Sequence, residues 1–154
     1  MEEIFDICNE AGEPTGVTVS RALAHREGIL HRTAHIWILR ERAGRKQLLL
    51  QKRSRSKDSF PSCLDTSSAG HIQAGDEPLA SAIRELWEEL GIAASPSELK
   101  PIGTFRISYQ KKFHGALFRD EEVAFVHVYE KPVDSAALRL QLEELESVLW
   151  QDYE

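Results

Sequence analysis

Apolar positions along the chain fall into short runs divided by polar and glycine-containing breaks. Residues 5–8 read as a short strand, residues 9–16 as turn chemistry and residues 17–19 as a return strand. Residues 33–40 hold Ile36, Trp37, Ile38 and Leu39 in succession, a length that suits a buried strand. Ala43, Gly44 and Arg45 turn the chain into another strand over 48–53, and a polar loop follows from 54 to about 65. Further strands are expected at 102–108 and 123–129. Only residues 78–90 show clear helical spacing, with Leu79, Ile83, Leu86 and Leu90 on one face. Asp76 or Glu77 can cap that helix, Pro78 fits its first turn and Gly91 its C-terminal cap. Residues 138–150 leave two readings open: a helix through Leu138, Leu142, Leu145 and Leu149, or two short strands around Glu143 and Glu144. Many strands with few helices predict an α/β or α+β sandwich.

The length of 154 residues suits one domain over 1–154, able to bury a core without disulfides or metal staples. A formal net charge of -6 argues against a general nucleic-acid binder, which needs a basic stripe to displace counterions. It leaves a small anionic substrate open, because a bound cation reverses the local field. Cys8 and Cys63 lack metal or redox spacing and read as buried or idle thiols. The acidic N-terminus shows no signal-like apolar run and no stretch reaches membrane-spanning length, so a cytoplasmic location without membrane contact is expected. Trp37 and Trp87 are expected in the core.

Candidate chemistry concentrates on the helix. At roughly 100° per residue, Glu85, Glu88 and Glu89 share a stripe distinct from the apolar one. Like charges at these spacings destabilise a helix, and a hard divalent cation among them relieves the repulsion. Such a cation can polarise a phosphoryl oxygen and neutralise charge as a P–O bond breaks. Arg84 can orient one of the carboxylates. A solvated acidic face is the plainer alternative. The Gly70–Gly75 loop before the helix and the Arg-Glu/Glu-Glu placement favour a site.

With these residues in place, the chain resembles the Nudix hydrolases. Their box reads G-x5-E-x7-R-E-U-x-E-E-x-G-U, with U aliphatic, and the chain matches it from Gly70 through Arg84, Glu85, Leu86, Glu88, Glu89 and Gly91 to Ile92. One position departs: Asp76 stands where the pattern has Glu. The resemblance implies a Nudix-type α/β/α sandwich around a mixed β-sheet. It implies attack of water on a nucleoside diphosphate derivative or another small organic diphosphate, with Mg2+ as cofactor and Mn2+ as a substitute. It assigns Gly70, Glu85, Glu88 and Glu89 to the metal, and Glu88, Glu89 and Arg84 to catalysis, with one of Glu88 and Glu89 as base. A homodimer is a candidate assembly.

A longer resemblance, from about residue 25 to 128, is to the type 1 isopentenyl-diphosphate isomerases, which share the fold. His25 and His31 resemble two of their metal-binding histidines, one residue closer together than in the isomerase pattern. His71 follows Gly70 as their Cys-Gly-His would have it, and Asp120 to Val123 resembles their Glu-x-Glu-Val. A second metal site from His25, His31, His71 and Glu122 would suit Zn2+ or Mn2+ better than Mg2+. Arg53 and Lys57, before Phe60-Pro61, resemble the isomerases' diphosphate-binding basic residues. Ala69 stands where the isomerases carry their catalytic cysteine. Protonating an unactivated double bond needs a dedicated acid, so a hydrolase of isomerase-like sequence is expected in preference to an isomerase. A catalytically silent nucleotide-binding module is a third reading. The final helix of these relatives is expected to be absent or truncated, or residues 135–150 organised differently.

Overall fold

A computed structural model describes residues 2–153. In chain order its elements are β1 (Ile4–Cys8), β2 (Pro14–Ser20), α1 (Arg21–Glu27), β3 (His31–Arg42), β4 (Arg45–Arg53), β5 (Leu64–Asp65) and β6 (Ser68–His71). Then come α2 (Pro78–Glu85), prolonged by a π-wound turn (Leu86–Leu90), β7 (Leu99–Phe113), β8 (Ala116–Tyr129) and β9 (Leu145–Asp152). β1 and β2 form a separate hairpin, and the other seven strands form one mixed sheet. β3 is its spine. It pairs in parallel with β8 and antiparallel with β6 over its first half, and antiparallel with β4 over its second half.

Period-two alternation along β3 divides the molecule into layers. Ala34, Ile36 and Ile38 are fully buried and form one core with Ala82, Leu86 and Leu90 of the helix and Ile72, Leu49 and Leu145. The other face carries His31, Thr33 and His35, and Phe5 from β1 stacks on His31. Phe5, Val19 and Ala24 make a second, smaller cluster there, joining the hairpin to α1. Helices thus flank a mixed sheet, as the α/β sandwich requires.

The box helix starts at Pro78 and ends where Gly91 adopts φ 71°, a left-handed conformation that glycine takes without strain. Its N-cap, Glu77, makes no side-chain capping bond. The start is held from outside instead. Arg32 Nη2 donates to Asp6 Oδ2 (2.9 Å) and to the Asp76 carbonyl (3.0 Å), while the Gly75 N–H donates to the same Asp6 oxygen (2.9 Å). This buried knot ties β1, β3 and the loop before α2 together.

Several expectations are corrected. α1 carries no strong periodicity in seven residues, yet it is capped by Ser20, which accepts from the Leu23 N–H, and closed by Gly28 at φ 70°. Residues 138–150 do not form a helix: after an irregular stretch they enter a single strand, β9, antiparallel to β4, with Leu49 opposite Trp150. Pairing with the free edge of β4 decides between two patterns that local sequence leaves open. Trp37 is half-buried, and Trp87 is 48% exposed, its ring covered by the Arg139 guanidinium at 4.4 Å, so Trp87 is not core. Cys8 is buried and Cys63 is exposed, both as free thiols. Among the described residues no helix is long and apolar enough to cross a membrane.

Removing one side of a buried ion pair strands the other charge, so Asp6→Ala should destabilise the fold by about 3–5 kcal/mol. Urea unfolding should show this as a lower midpoint at unchanged m-value; an unchanged midpoint would deny the knot any structural role.

Candidate active site

One cavity of about 590 Å³ collects most of the chemistry-bearing residues. Its floor is the polar face of the sheet, including Thr33 and His35 of β3, Ala69 and His71 of β6, and Asp120 and Glu122 of β8. Its rim takes Arg53 and Lys57 from β4 and the following loop, and Glu144 from the stretch before β9. The end of the box helix supplies Glu85, Glu88 and Glu89.

The three glutamates do not stand as one even stripe. The π-wound turn shifts their phase, so that Glu85 and Glu89 turn inward while Glu88 stays at the rim, its side chain 48% exposed. Among the described residues the groups of ligand atoms lying within 4.8 Å of one another do not include this triad. Gly70 stands directly against Glu85: a Cβ there would fall 2.3 Å from Glu85 Cδ. Arg84 bridges the group, donating to Asp76 Oδ2 (2.9 Å) and contacting Glu85 (3.5 Å) and Glu88 (4.0 Å). Asp76, the departure from the box pattern, thus keeps a carboxylate on Arg84.

Glu89 is 5% exposed and accepts two hydrogen bonds on Oε1, from Ser68 Oγ (2.6 Å) and from the Ala69 N–H (3.1 Å). Burial pushes its pKa up to about 8, and the Glu85 charge adds to the rise, against the pull of those two donors. Burial likewise raises Glu85 to about 7, opposed by Arg84 and aided by Glu88.

A second cluster occupies the other end of the cavity. His25, His31 and His71 bring ring nitrogens within 4.8 Å of one another, and His31, Asp120 and Glu122 form an overlapping group. Phe5 stacks on His31 (5.0 Å) and on His71 (4.6 Å), fixing both rings. The Ile29 carbonyl can only accept, so His31 Nδ1, 2.9 Å away, carries the proton, and Nε2 is left as a lone pair. That nitrogen, His25 Nε2, Asp120 Oδ1 and Glu122 Oε1 are all buried without a hydrogen-bond partner. His25 Nε2 and His31 Nε2 lie 3.6 and 3.7 Å from Asp120 Oδ1. Burial lowers the pKa of all three histidines, His25 to about 4, and keeps them neutral. Asp120 is pushed up by burial and by the Glu122 carboxylate beside it.

Of the sequence-nominated residues, Arg84 and His31 do not line this cavity and reach it through Glu85 and Glu88 and through His25 and His71; the others line it, but the basic pair is not free. Arg53 donates to the Ser59 carbonyl (2.9 Å) and to Asp65 (3.2 Å), and Lys57 contacts Glu144 at 2.5 Å. Four residues enter that the sequence did not single out. Asp120 was visible only as one end of the Glu-x-Glu-like segment. Ser68 and Glu144 gave no signal, since their contacts are made across the fold. His35 sits cross-strand from Ala69 with its Nε2 3.7 Å from Glu122, a placement that only strand register reveals.

Two outcomes are expected. A carboxyl whose folded pKa is raised binds more protons when folded than when unfolded, so its stabilisation is present below about pH 4.5 and is lost as pH rises through about 7 and 8. In chelator, the wild-type Tm should therefore fall from pH 5.5 to 8.5 relative to a Glu85→Gln/Glu89→Gln variant; parallel profiles would refute the raised values. The group that a Gly70→Ala methyl meets is the mobile end of Glu85. Gly70→Ala should therefore displace the carboxylate and abolish any Mg2+-induced rise in Tm at a stability cost of about 1–3 kcal/mol. Retention of the full metal response would show that the Gly70 contact does not position Glu85.

The chain matches the family model described as NUDIX domain over residues 29–154. It is 43% identical over 99% of its length to Nudix hydrolase 3 of Arabidopsis thaliana, of which it spans 20%. It is 36% identical over 94% of its length to an uncharacterized Nudix hydrolase of Clostridium acetobutylicum, spanning 67% of it. It is 35% identical over 84% of its length to an isopentenyl-diphosphate Delta-isomerase of Serratia proteamaculans, spanning 65% of that protein. Among solved structures, Deinococcus radiodurans DR0079 superposes with a TM-score of 0.72 at 22% identity, covering 97% of this chain and 83% of that one. The box geometry, the mixed sheet and these matches together place the chain in the Nudix hydrolase family.

Proposed function

We propose that the chain is a divalent-metal-dependent pyrophosphohydrolase that cleaves a diphosphate bond in a nucleoside diphosphate derivative or another small organic diphosphate by attack of water. The observation that carries this reading is the pair of carboxylates turned into one cavity, Glu89 buried and Glu85 half-buried, with Arg84 beside Glu85 as a compensating cation. Burying anions without enough positive charge is costly, and here the cost appears as pKa values raised to about 7 and about 8. An oxygen-only donor set of this charge fits a hard divalent ion, Mg2+ with Mn2+ as substitute. Gly70, Glu85, Glu88 and Glu89 would hold it. A divalent ion there supplies Lewis acidity toward a phosphoryl oxygen and neutralises charge on the leaving group.

The chain's own groups do the rest. One of Glu88 and Glu89 takes the proton of the attacking water. Arg84 holds Glu85 and Glu88 in place through its contacts at 3.5 and 4.0 Å. Arg53 and Lys57 meet the diphosphate, Lys57 exchanging Glu144 for a phosphate oxygen. His25, His31, His71 and Glu122, joined by Asp120, form a second centre whose neutral imidazoles and orphaned buried atoms suit Zn2+ or Mn2+. That cluster and the likeness to isomerases favour isopentenyl-diphosphate isomerisation as the second reading, and Ala69 speaks against it.

Incubation with a panel spanning ADP-ribose, nucleoside triphosphates, dinucleotides, and thiamine and prenyl diphosphates should yield phosphate-containing products only with Mg2+ or Mn2+ present. Loss of a general base or metal carboxylate should cost at least about a hundredfold in kcat, so Glu89→Gln should lose that much with its fold intact by circular dichroism. Wild-type turnover by Glu89→Gln would overturn the assignment. Dimethylallyl diphosphate formed from isopentenyl diphosphate would replace it with the isomerase reading, and ligand binding without turnover in metal-replete buffer with a silent module.

A further inference from the structure

We propose that Ser68 is a positioning residue for Glu89: its hydroxyl, with the Ala69 N–H, clamps one oxygen of that carboxylate so that the other faces the cavity. The inference rests on the pyrophosphohydrolase reading for its kinetic consequence and on the geometry alone for the clamp.

Ser68 lies two residues before Gly70, outside the box. On β6 it is cross-strand from Ile36, so its side chain shares the face of that core residue, and it is fully buried. A hydroxyl in apolar surroundings is costly unless it is hydrogen-bonded. Its partner is Glu89 Oε1, at 2.6 Å, at the short end of the range for an O–H···O bond. The Ala69 N–H donates to the same oxygen at 3.1 Å. Both donors therefore load Oε1, and neither takes Oε2 of this cavity-lining residue.

Two donors from consecutive residues of a strand fix a carboxylate's rotation better than one, because the backbone donor cannot move. The clamp thus joins β6 to the last turn of the helix. Glu85 is set by Gly70 of the same strand, so a four-residue strand aligns both inward carboxylates, one through a missing Cβ and one through a hydroxyl.

The test compares wild type, Ser68→Ala, Glu89→Gln and the double variant. One readout is steady-state kinetics on whichever panel substrate is turned over. The other uses Mn2+ alone, as the concentration giving half of the metal-induced rise in Tm. A hydrogen bond to a charged group lost from the machinery should lower kcat roughly ten- to a hundredfold in Ser68→Ala, with KM within about twofold. The half-saturating Mn2+ concentration should rise by roughly tenfold. In the Glu89→Gln background the same substitution should leave it unchanged, because coupled residues are non-additive. A Ser68→Ala protein with lower Tm but wild-type kcat, KM and Mn2+ response would make the hydroxyl merely structural and overturn the proposal. An equal Mn2+ effect in both backgrounds would also overturn it. The Mn2+ cycle stands even if no panel substrate reacts, which would instead count against the pyrophosphohydrolase reading.

Discussion

The alternation of β3 is the constraint on which the rest depends. Ala34, Ile36 and Ile38 anchor the box helix on one face, while Thr33 and His35 build the cavity floor on the other, the face His31 shares. A slip of one residue would send the histidines into the core and the aliphatic residues into the cavity. Register with three partners prevents it: β8 in parallel, β6 and β4 antiparallel. Because β6 pairs with β3 at Ala34 and Gly70, the same register that seats the helix also brings Gly70 against Glu85.

The cost of that arrangement is concentrated in the carboxylates. Glu85 and Glu89 are less solvated than any free glutamate, and Arg84 divides its charge among Asp76, Glu85 and Glu88. Natural cores avoid such groups unless something compensates. At the far end of the cavity the same tension recurs with different atoms, where buried nitrogens and carboxylate oxygens converge without partners. Two unrelieved electrostatic strains in one cavity are what a stability-optimised fold would eliminate, and their persistence makes the cavity a candidate site.

Much of this was legible in the sequence, and the boundary is physical. The box helix declared itself because its first-turn proline, its closing glycine and its apolar stripe are local, and the carboxylates because their spacing is fixed along one element. β7 and β8 were expected too short: their outer halves pair with each other as a hairpin, and only that mutual ladder makes them strands. β9 was ambiguous because Leu145 and Leu149 satisfy helical and strand patterns alike, and the edge of β4 made the choice. The π winding that splits the glutamate stripe has no signature in residue type. The pairings of Arg53 with Asp65 and of Lys57 with Glu144 join segments that only the folded chain brings together.

Ala69 is where the proposed hydrolysis and the alternative isomerisation would part. Moving a proton onto an unactivated carbon needs an acid of its own beside the carbon, and a methyl group cannot be one. The polar atoms nearest that position serve other ends: the Ala69 N–H is engaged by Glu89, and His35 across the strand faces Glu122. What the cavity offers in quantity is anionic oxygen, from Glu85, Glu88 and Glu89, with two cations held in exchangeable ion pairs at the rim. Anhydride hydrolysis asks for that combination, since charge rather than a carbon–hydrogen bond is what must be managed as the P–O bond breaks. An alanine at this position offers no proton donor, which the proposed hydrolysis does not need, while keeping the backbone N–H that bonds Glu89.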